Sequence, residues 1–122
     1  MSHAFIGIDH VQIAAPAGAE PRARAFFADL LGMTEILKPV SLRGRGGLWF
    51  QCGAQQLHVG IEVNFSPAKK AHPAIRVQNL SQLRLRLQQA NIEVTGDDSL
   101  PGAKRFYVND PFGNRLEFLE LK

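Results

Sequence analysis

The two halves of the chain nearly repeat each other, and that repetition limits the possible folds more than anything else in it. His10-Val11-Gln12-Ile13-Ala14 and His72-Pro73-Ala74-Ile75-Arg76-Val77 each open a stretch that reads strand, helix, turn-rich connection, strand. Each stretch closes on a strand with a second metal-type side chain: His58 in Leu57-His58-Val59-Gly60-Ile61-Glu62, and Glu117 in Leu116-Glu117-Phe118-Leu119-Glu120. His10 and His58 stand 48 positions apart, His72 and Glu117 45. A duplicated unit that delivers one ligand from each end offers four when two units pair. Three imidazoles and a carboxylate suit a divalent transition metal.

Hydrophobic periodicity gives the same element order twice. Gly7 to Ala15 alternates and stops at Pro16 and Gly18, a half-buried strand on which His10, Gln12 and Ala14 share a face. Arg22 to Leu31 carries Ala23, Phe26, Phe27, Leu30 and Leu31 at helical spacing behind Pro21 and ahead of a glycine stop at Gly32. Met33–Leu37 reads as a short strand, and the Arg43–Gly47 loop has the glycines of a mobile lid or of a plain solvated turn. Leu48–Cys52 and Gln55–Glu62 form a hairpin. In the second half, strand His72–Val77 precedes a helix capped by Ser81, with Leu83, Leu85, Leu87 and Ala90 as apolar contacts and Asn91 as its left-handed stop. Strands Ile92–Thr95 and Arg105–Asn109 come next, and Asp110-Pro111-Phe112-Gly113-Asn114 is a tight turn into the final strand. Both halves spell βαβββ. The expected organisation is one α+β domain over residues 1–122, with a module at 5–63, a linker at 64–71 and a second module at 72–122.

Composition narrows the role. At 122 residues and 45% hydrophobic content the chain supports one modest core, and neither half alone is long enough to be comfortably stable. No apolar run is long enough to span a bilayer, and residues 1–7 lack the basic start and apolar stretch of a signal peptide, so a cytoplasmic protein is expected. The single Cys52 cannot form an internal disulfide and reads as a small buried side chain. A net charge of +3, with basic residues scattered among acids, does not make the concentrated stripe of a nucleic-acid reader. The expected partner is a small molecule.

The doubled unit, Asp9-His10-Val11, His72 and the run Asp110-Pro111-Phe112-Gly113-Asn114-Arg115-Leu116-Glu117-Phe118 resemble the vicinal oxygen chelate superfamily. That group includes glyoxalase I, fosfomycin resistance enzymes, extradiol dioxygenases and bleomycin-binding proteins. The resemblance covers nearly the whole chain, and the final turn and strand are its most specific part. It implies two βαβββ modules whose mixed sheets form a cupped half-barrel with helices outside. It further implies a divalent metal (Zn, Ni, Mn or Fe) held by His10, His58, His72 and Glu117, with Glu117 as catalytic base. Glyoxalase I has a glutamate where this chain has His58, so His58 stands either as a fourth ligand or as a donor behind the other three.

If the metal lies on the His10 face, Gln12, Ala14, Gly60, Ala74 and Arg76 share that face by alternation. Arg76 is suited to a bidentate anion contact or to a carboxylate at a sheet edge. Arg105 and Tyr107 point to one face of the penultimate strand, and Trp49 either walls the pocket or fills the core. The expected function is a metal-dependent, glyoxalase-like lyase or isomerase that chelates two oxygens of a small substrate. The rivals are an extradiol-type dioxygenase with His10, His72 and Glu117 as a facial triad, and a metal-free small-molecule binding protein. A homodimer is expected, since two-module chains of this kind often complete their cups across a two-fold axis.

Overall fold

The structure, a computed structural model, describes residues 2–122. Strand β1 (His10–Ala15) leads through a helical segment into β2 (Thr34–Ile36), β3 (Leu48–Cys52) and β4 (Gln55–Ile61). The second half repeats the plan with β5 (Ala74–Arg76), helix α2 (Leu80–Gln89), β6 (Thr95–Gly96), β7 (Ala103–Asn109) and β8 (Arg115–Leu121). The sheets have matching orders, β1-β4-β3-β2 and β5-β8-β7-β6, with the first and last strand of each half paired in parallel. Among the described residues no ladder joins the two sheets, and they do not close into a barrel.

Alternation along each strand separates core from cup. In the first sheet Ala15, Leu48, Phe50, Leu57 and Val59 are buried beneath the helical segment. Phe106, Val108, Leu116 and Phe118 do the same in the second, and one apolar cluster runs through both halves. Neither half has to bury its core alone.

The first helix departs from expectation. It opens as α1 (Glu20–Ala23) with Pro21 in the first turn, then winds as a π-helix over Arg24–Leu30. There the Leu31 N–H donates to Phe26 O, five residues back. The wider turn lets the consecutive Phe26 and Phe27 both face inward.

Helix α2 begins earlier than the Ser81 cap implied. Asn79 stands just before it in the left-handed region (φ 60°), and the Glu120 carboxylate accepts the N–H groups of Asn79 and Leu80, both at 3.1 Å. Glu120 is thus the helix cap, and its carboxyl is held below its ordinary value by those backbone donors. Leu80 and Leu87 are buried, while Leu85 lies on the outer face and Asn91 takes positive φ as expected.

Other boundaries shift. Residues 7–9 and His72 precede their strands rather than joining them, β6 starts at Thr95, and the Arg43–Gly47 loop lies partly in a 3₁₀ helix, Val40–Arg45.

Three polar contacts tie the halves together. Asn114 Nδ2 donates to Ala14 O (2.7 Å), Arg22 Nη2 to Pro111 O (2.8 Å), and Arg86 to the carbonyls of Leu30 (2.6 Å) and Asp29 (3.1 Å), where the first helix leaves acceptors unused. The Asp110–Asn114 turn is braced from within. Asp110 Oδ1 accepts the N–H groups of Phe112 and Asn114, Oδ2 accepts Asn114 Nδ2, and Gly113 takes positive φ. No helix among the described residues is long and apolar enough to cross a membrane.

Candidate functional site

Strand register collects the candidate ligands. In the first sheet Gln12 pairs with His58 and His58 with Trp49, so these residues share a face with His10. In the second, Ala74 pairs with Glu117 and Glu117 with Tyr107, while Arg76 and Arg105 flank Leu119.

On the first face three aromatic side chains form a stack. The His58 ring lies 4.0 Å from the ring system of Trp49 at an interplanar angle of 2°, and 4.1 Å from His10 at 18°. His58 is 3% exposed. Burial first, and then the positive charge His10 can carry, hold its imidazole below the ordinary 6.5. Its Nε2 meets Gln56 Oε1 at 2.9 Å, while His10 Nδ1 meets Asp9 Oδ2 at the same distance and keeps its Nε2 free. Gln12 lies across Gly60, where a Cβ would meet Gln12 Nε2 at 2.5 Å, so a larger residue would push that amide aside.

On the second face His72 stands between two acceptors. Its Nδ1 meets Lys70 O at 2.8 Å, so that nitrogen carries the hydrogen. Its Nε2 lies 2.9 Å from Glu117 Oε1. That contact is a hydrogen bond, with one proton between the two atoms. A backbone carbonyl behind one ring nitrogen and a carboxylate before the other is the pattern of a metal-binding histidine, so the donor chemistry fits a divalent ion.

Glu117, 6% exposed, also faces Arg105 Nη1 at 3.4 Å. Arg105 Nη2 meets Asp97 Oδ2 and Ser99 Oγ, each at 3.1 Å, and its buried Nε has no partner among the described residues. Tyr107 sets its edge against His72 at 5.5 Å and carries the Arg115 guanidinium 4.1 Å above its ring.

The four expected ligands therefore make two pairs, His10 with His58 and His72 with Glu117. Among the described residues of one chain no group of three or more His, Cys, Asp or Glu side chains is close enough to hold an ion. A groove of about 1470 Å³ runs between β1 and β5; Gln12, Ala14, His72, Ala74 and Arg76 line it, while His10, His58, Trp49, Arg105, Tyr107 and Glu117 lie outside its lining. Arg76 is exposed, and its guanidinium has no hydrogen-bond partner among the described residues. Gln56, Asp97 and Ser99 were not singled out from sequence, and Asp9 only as part of the Asp9-His10-Val11 motif. The Asp97–Ser99 loop meets Arg105 through the β6–β7 pairing.

A family model described as Glyoxalase/Bleomycin resistance protein/Dioxygenase superfamily matches residues 7–118. The chain belongs to that superfamily. Within the glyoxalase superfamily it is 52% identical to a Bacillus anthracis protein assigned to the glyoxalase family, over 100% of both chains, with a TM-score of 0.97. Lactoylglutathione lyase from Agrobacterium tumefaciens is 22% identical over 93% of this chain and 92% of that one (TM-score 0.73). TnmS3, an antibiotic binding protein from Streptomyces sp. CB03234, is 18% identical over 97% and 100% (TM-score 0.72). At those identities the last two share the fold, which carries a lyase in one and a binding protein in the other. No curated protein matches the chain.

Proposed function

We propose that the protein is a metal-dependent, glyoxalase-like enzyme of the lyase or isomerase type, acting as a homodimer on a small oxygen-rich substrate. The observation that carries this reading is the His72–Glu117 pair, 2.9 Å apart with the carboxylate buried and a carbonyl fixing the far side of the ring. Each chain presents two donor pairs on separate sheets, and a second copy related by a two-fold axis brings His10 and His58 of one face to His72 and Glu117 of the other. Those four residues would hold the ion, whose identity among Zn, Ni, Mn and Fe the donor set does not choose. When bound, such an ion supplies Lewis-acid stabilisation to two substrate oxygens.

The chain's own residues do the rest. Glu117 takes the substrate proton, and Arg105, anchored by Asp97 and Ser99, keeps that carboxylate aimed. Tyr107 and Trp49 bound the site with flat surfaces, Gln12 supplies an amide over Gly60, and Arg76 offers a free guanidinium to an anionic group.

A second reading rests on His58. With both ring faces covered by Trp49 and His10, and Nε2 taken by Gln56, His58 acts as a support, which leaves His10, His72 and Glu117 as the triad of an extradiol-type dioxygenase.

Metal analysis of the purified protein with its His10→Ala and Glu117→Ala variants tests the proposal. One ion per site, lost in both variants, is expected; no ion in the parent protein overturns the enzyme in favour of a metal-free binder. Oxygen uptake by the anaerobically loaded Fe²⁺ form given catechols would move the assignment to the dioxygenase.

A further inference from the structure

Two half-buried side chains of opposite charge, Lys38 and Glu20, have no ion-pair partner among the described residues. They meet instead through one peptide group. Lys38 Nζ donates to Gly46 O, and Glu20 Oε2 accepts the Gly47 N–H at 3.1 Å. The carbonyl of Gly46 and the N–H of Gly47 belong to the same planar unit and point in opposite directions, so a cation and an anion grip it from its two sides. Each charge polarises the peptide in the sense that strengthens the other's hydrogen bond.

That peptide links the 3₁₀ segment Val40–Arg45 to β3. Gly46 and Gly47 both take positive φ (73° and 84°), and Gly47 lies against the backbone of Val59 and Gly60, where a Cβ would run into the Val59 carbonyl oxygen. Val59 follows His58 directly, and Trp49, two residues after Gly47, is the register partner of His58. Trp49 lies flat on the His58 ring, and His58 on that of His10. Such a stack is held by dispersion and the exclusion of water, with no directional bond to set its place. Its outer end is placed by the backbone that carries Trp49.

We propose that Lys38 and Glu20 are positioning residues for the His10–His58 donor pair: their grip on the Gly46–Gly47 peptide seats Trp49 against His58, and the seated indole keeps both imidazoles in one orientation. Neither residue hydrogen-bonds a candidate ligand among the described residues, so both act through the backbone. The inference rests on the proposed function only in treating His10 and His58 as metal donors. It adds that the loop before β3, outside the donor set, controls how well that pair is prepared for an ion.

Trp49 is the one tryptophan in the chain, so its fluorescence reads the stack directly. Lys38→Met and Glu20→Ala each break the grip from one side, Lys38→Arg and Glu20→Gln keep a donor and an acceptor, and Arg45→Ala alters an exposed side chain of the same loop as a control. In the full, metal-free chain the Trp49 anisotropy of the parent, the conservative variants and the control should decay only with overall tumbling. The two breaking variants, folded by circular dichroism, should add a sub-nanosecond component. Their Ni²⁺ affinity by calorimetry should fall about 10- to 100-fold, with most of it restored in Lys38→Arg and Glu20→Gln. Because both charges act on one peptide, the Lys38→Met/Glu20→Ala double variant should lose no more than about threefold beyond the worse single variant. Should Glu20→Ala not fold, Lys38→Met, which keeps the aliphatic stem, decides alone. Losses that multiply in the double variant overturn the inference, as does a Trp49 that stays rigid in the breaking variants, or a loosened Trp49 with unchanged Ni²⁺ affinity. A parent that binds no Ni²⁺ while Trp49 loosens as described leaves the seating of the stack standing and removes the proposed chemistry, so the two failures are separable.

Discussion

His72 Nε2 and Glu117 Oε1 lie 2.9 Å apart although 45 residues separate them, because the strand behind Glu117 pairs in parallel with the strand that His72 precedes. With Lys70 O holding Nδ1–H, the ring is oriented so that Nε2 faces the carboxylate. His72→Ala and Glu117→Gln should each weaken Zn²⁺ or Ni²⁺ binding by more than about 100-fold, beyond the 10–100-fold usual for outer partners. Titration calorimetry in buffers of different ionisation enthalpy measures this, and should also show proton release on binding by the parent. Unchanged affinity in both variants would remove the site.

Glycine is required at position 47 for two reasons. Its φ is +84°, and an added Cβ would lie 2.2 Å from the carbonyl oxygen of Val59, a backbone atom with no freedom to retreat. Gly47→Ala should cost about 2–4 kcal/mol. Gly53, also at positive φ but facing open space, should cost only about 1 kcal/mol as alanine. Urea unfolding of the two variants compares them, and equal midpoints would contradict the close approach.

Asn114→Ala removes a buried amide that donates to Ala14 O of the other half and to Asp110 Oδ2. Two acceptors lose a partner, and burial already raises the Asp110 carboxyl above its ordinary value. A loss of about 2–3 kcal/mol is expected in equilibrium unfolding. Asn114→Asp should do no better, since it sets a second carboxylate beside Asp110. Recovery of stability in that variant would count against the account.

Glu120 gives a pH-dependent prediction whose sign comes from its backbone donors. Its carboxyl titrates lower in the folded chain than the unfolded value of 4.5, so its stabilising effect is present above that pH and disappears as pH falls through the lowered value. Glu120→Ala should melt a few degrees below the parent at pH 7, and the gap should narrow below about pH 4.5. A gap independent of pH would mean that the cap acts through packing instead of charge.

Much of the fold was readable in sequence because it depends on local periodicity. The twofold βαβββ order, the Asp110–Asn114 turn and the left-handed Asn91 all come from alternation and turn chemistry over a few residues. What sequence hid was long-range. Glu120 caps a helix that starts 40 residues earlier, and Arg105 is held by a loop acid and serine, contacts that no spacing rule specifies. Ser81 looked like a cap because hydroxyls often are, but a carboxylate from β8 already occupied that role. The pairing of His10 with His58 and of His72 with Glu117 arises from parallel first and last strands; whether two such pairs share one centre depends on how copies meet, which a single chain's pattern does not encode.

The wide winding at Arg24–Leu30 has a consequence for chain length. A π turn holds one residue more than the α turn it replaces, and here that residue lets two neighbouring aromatics point inward together. Deleting Ala28 would return the coil to an α turn with its flanks still in register, but the narrower turn could aim only one of the two neighbouring phenylalanines at the sheet. Insertions and deletions of single residues, usually absorbed by surface connections, are thus costly inside this helix; a shortened chain that unfolds at the parent's urea concentration would show otherwise.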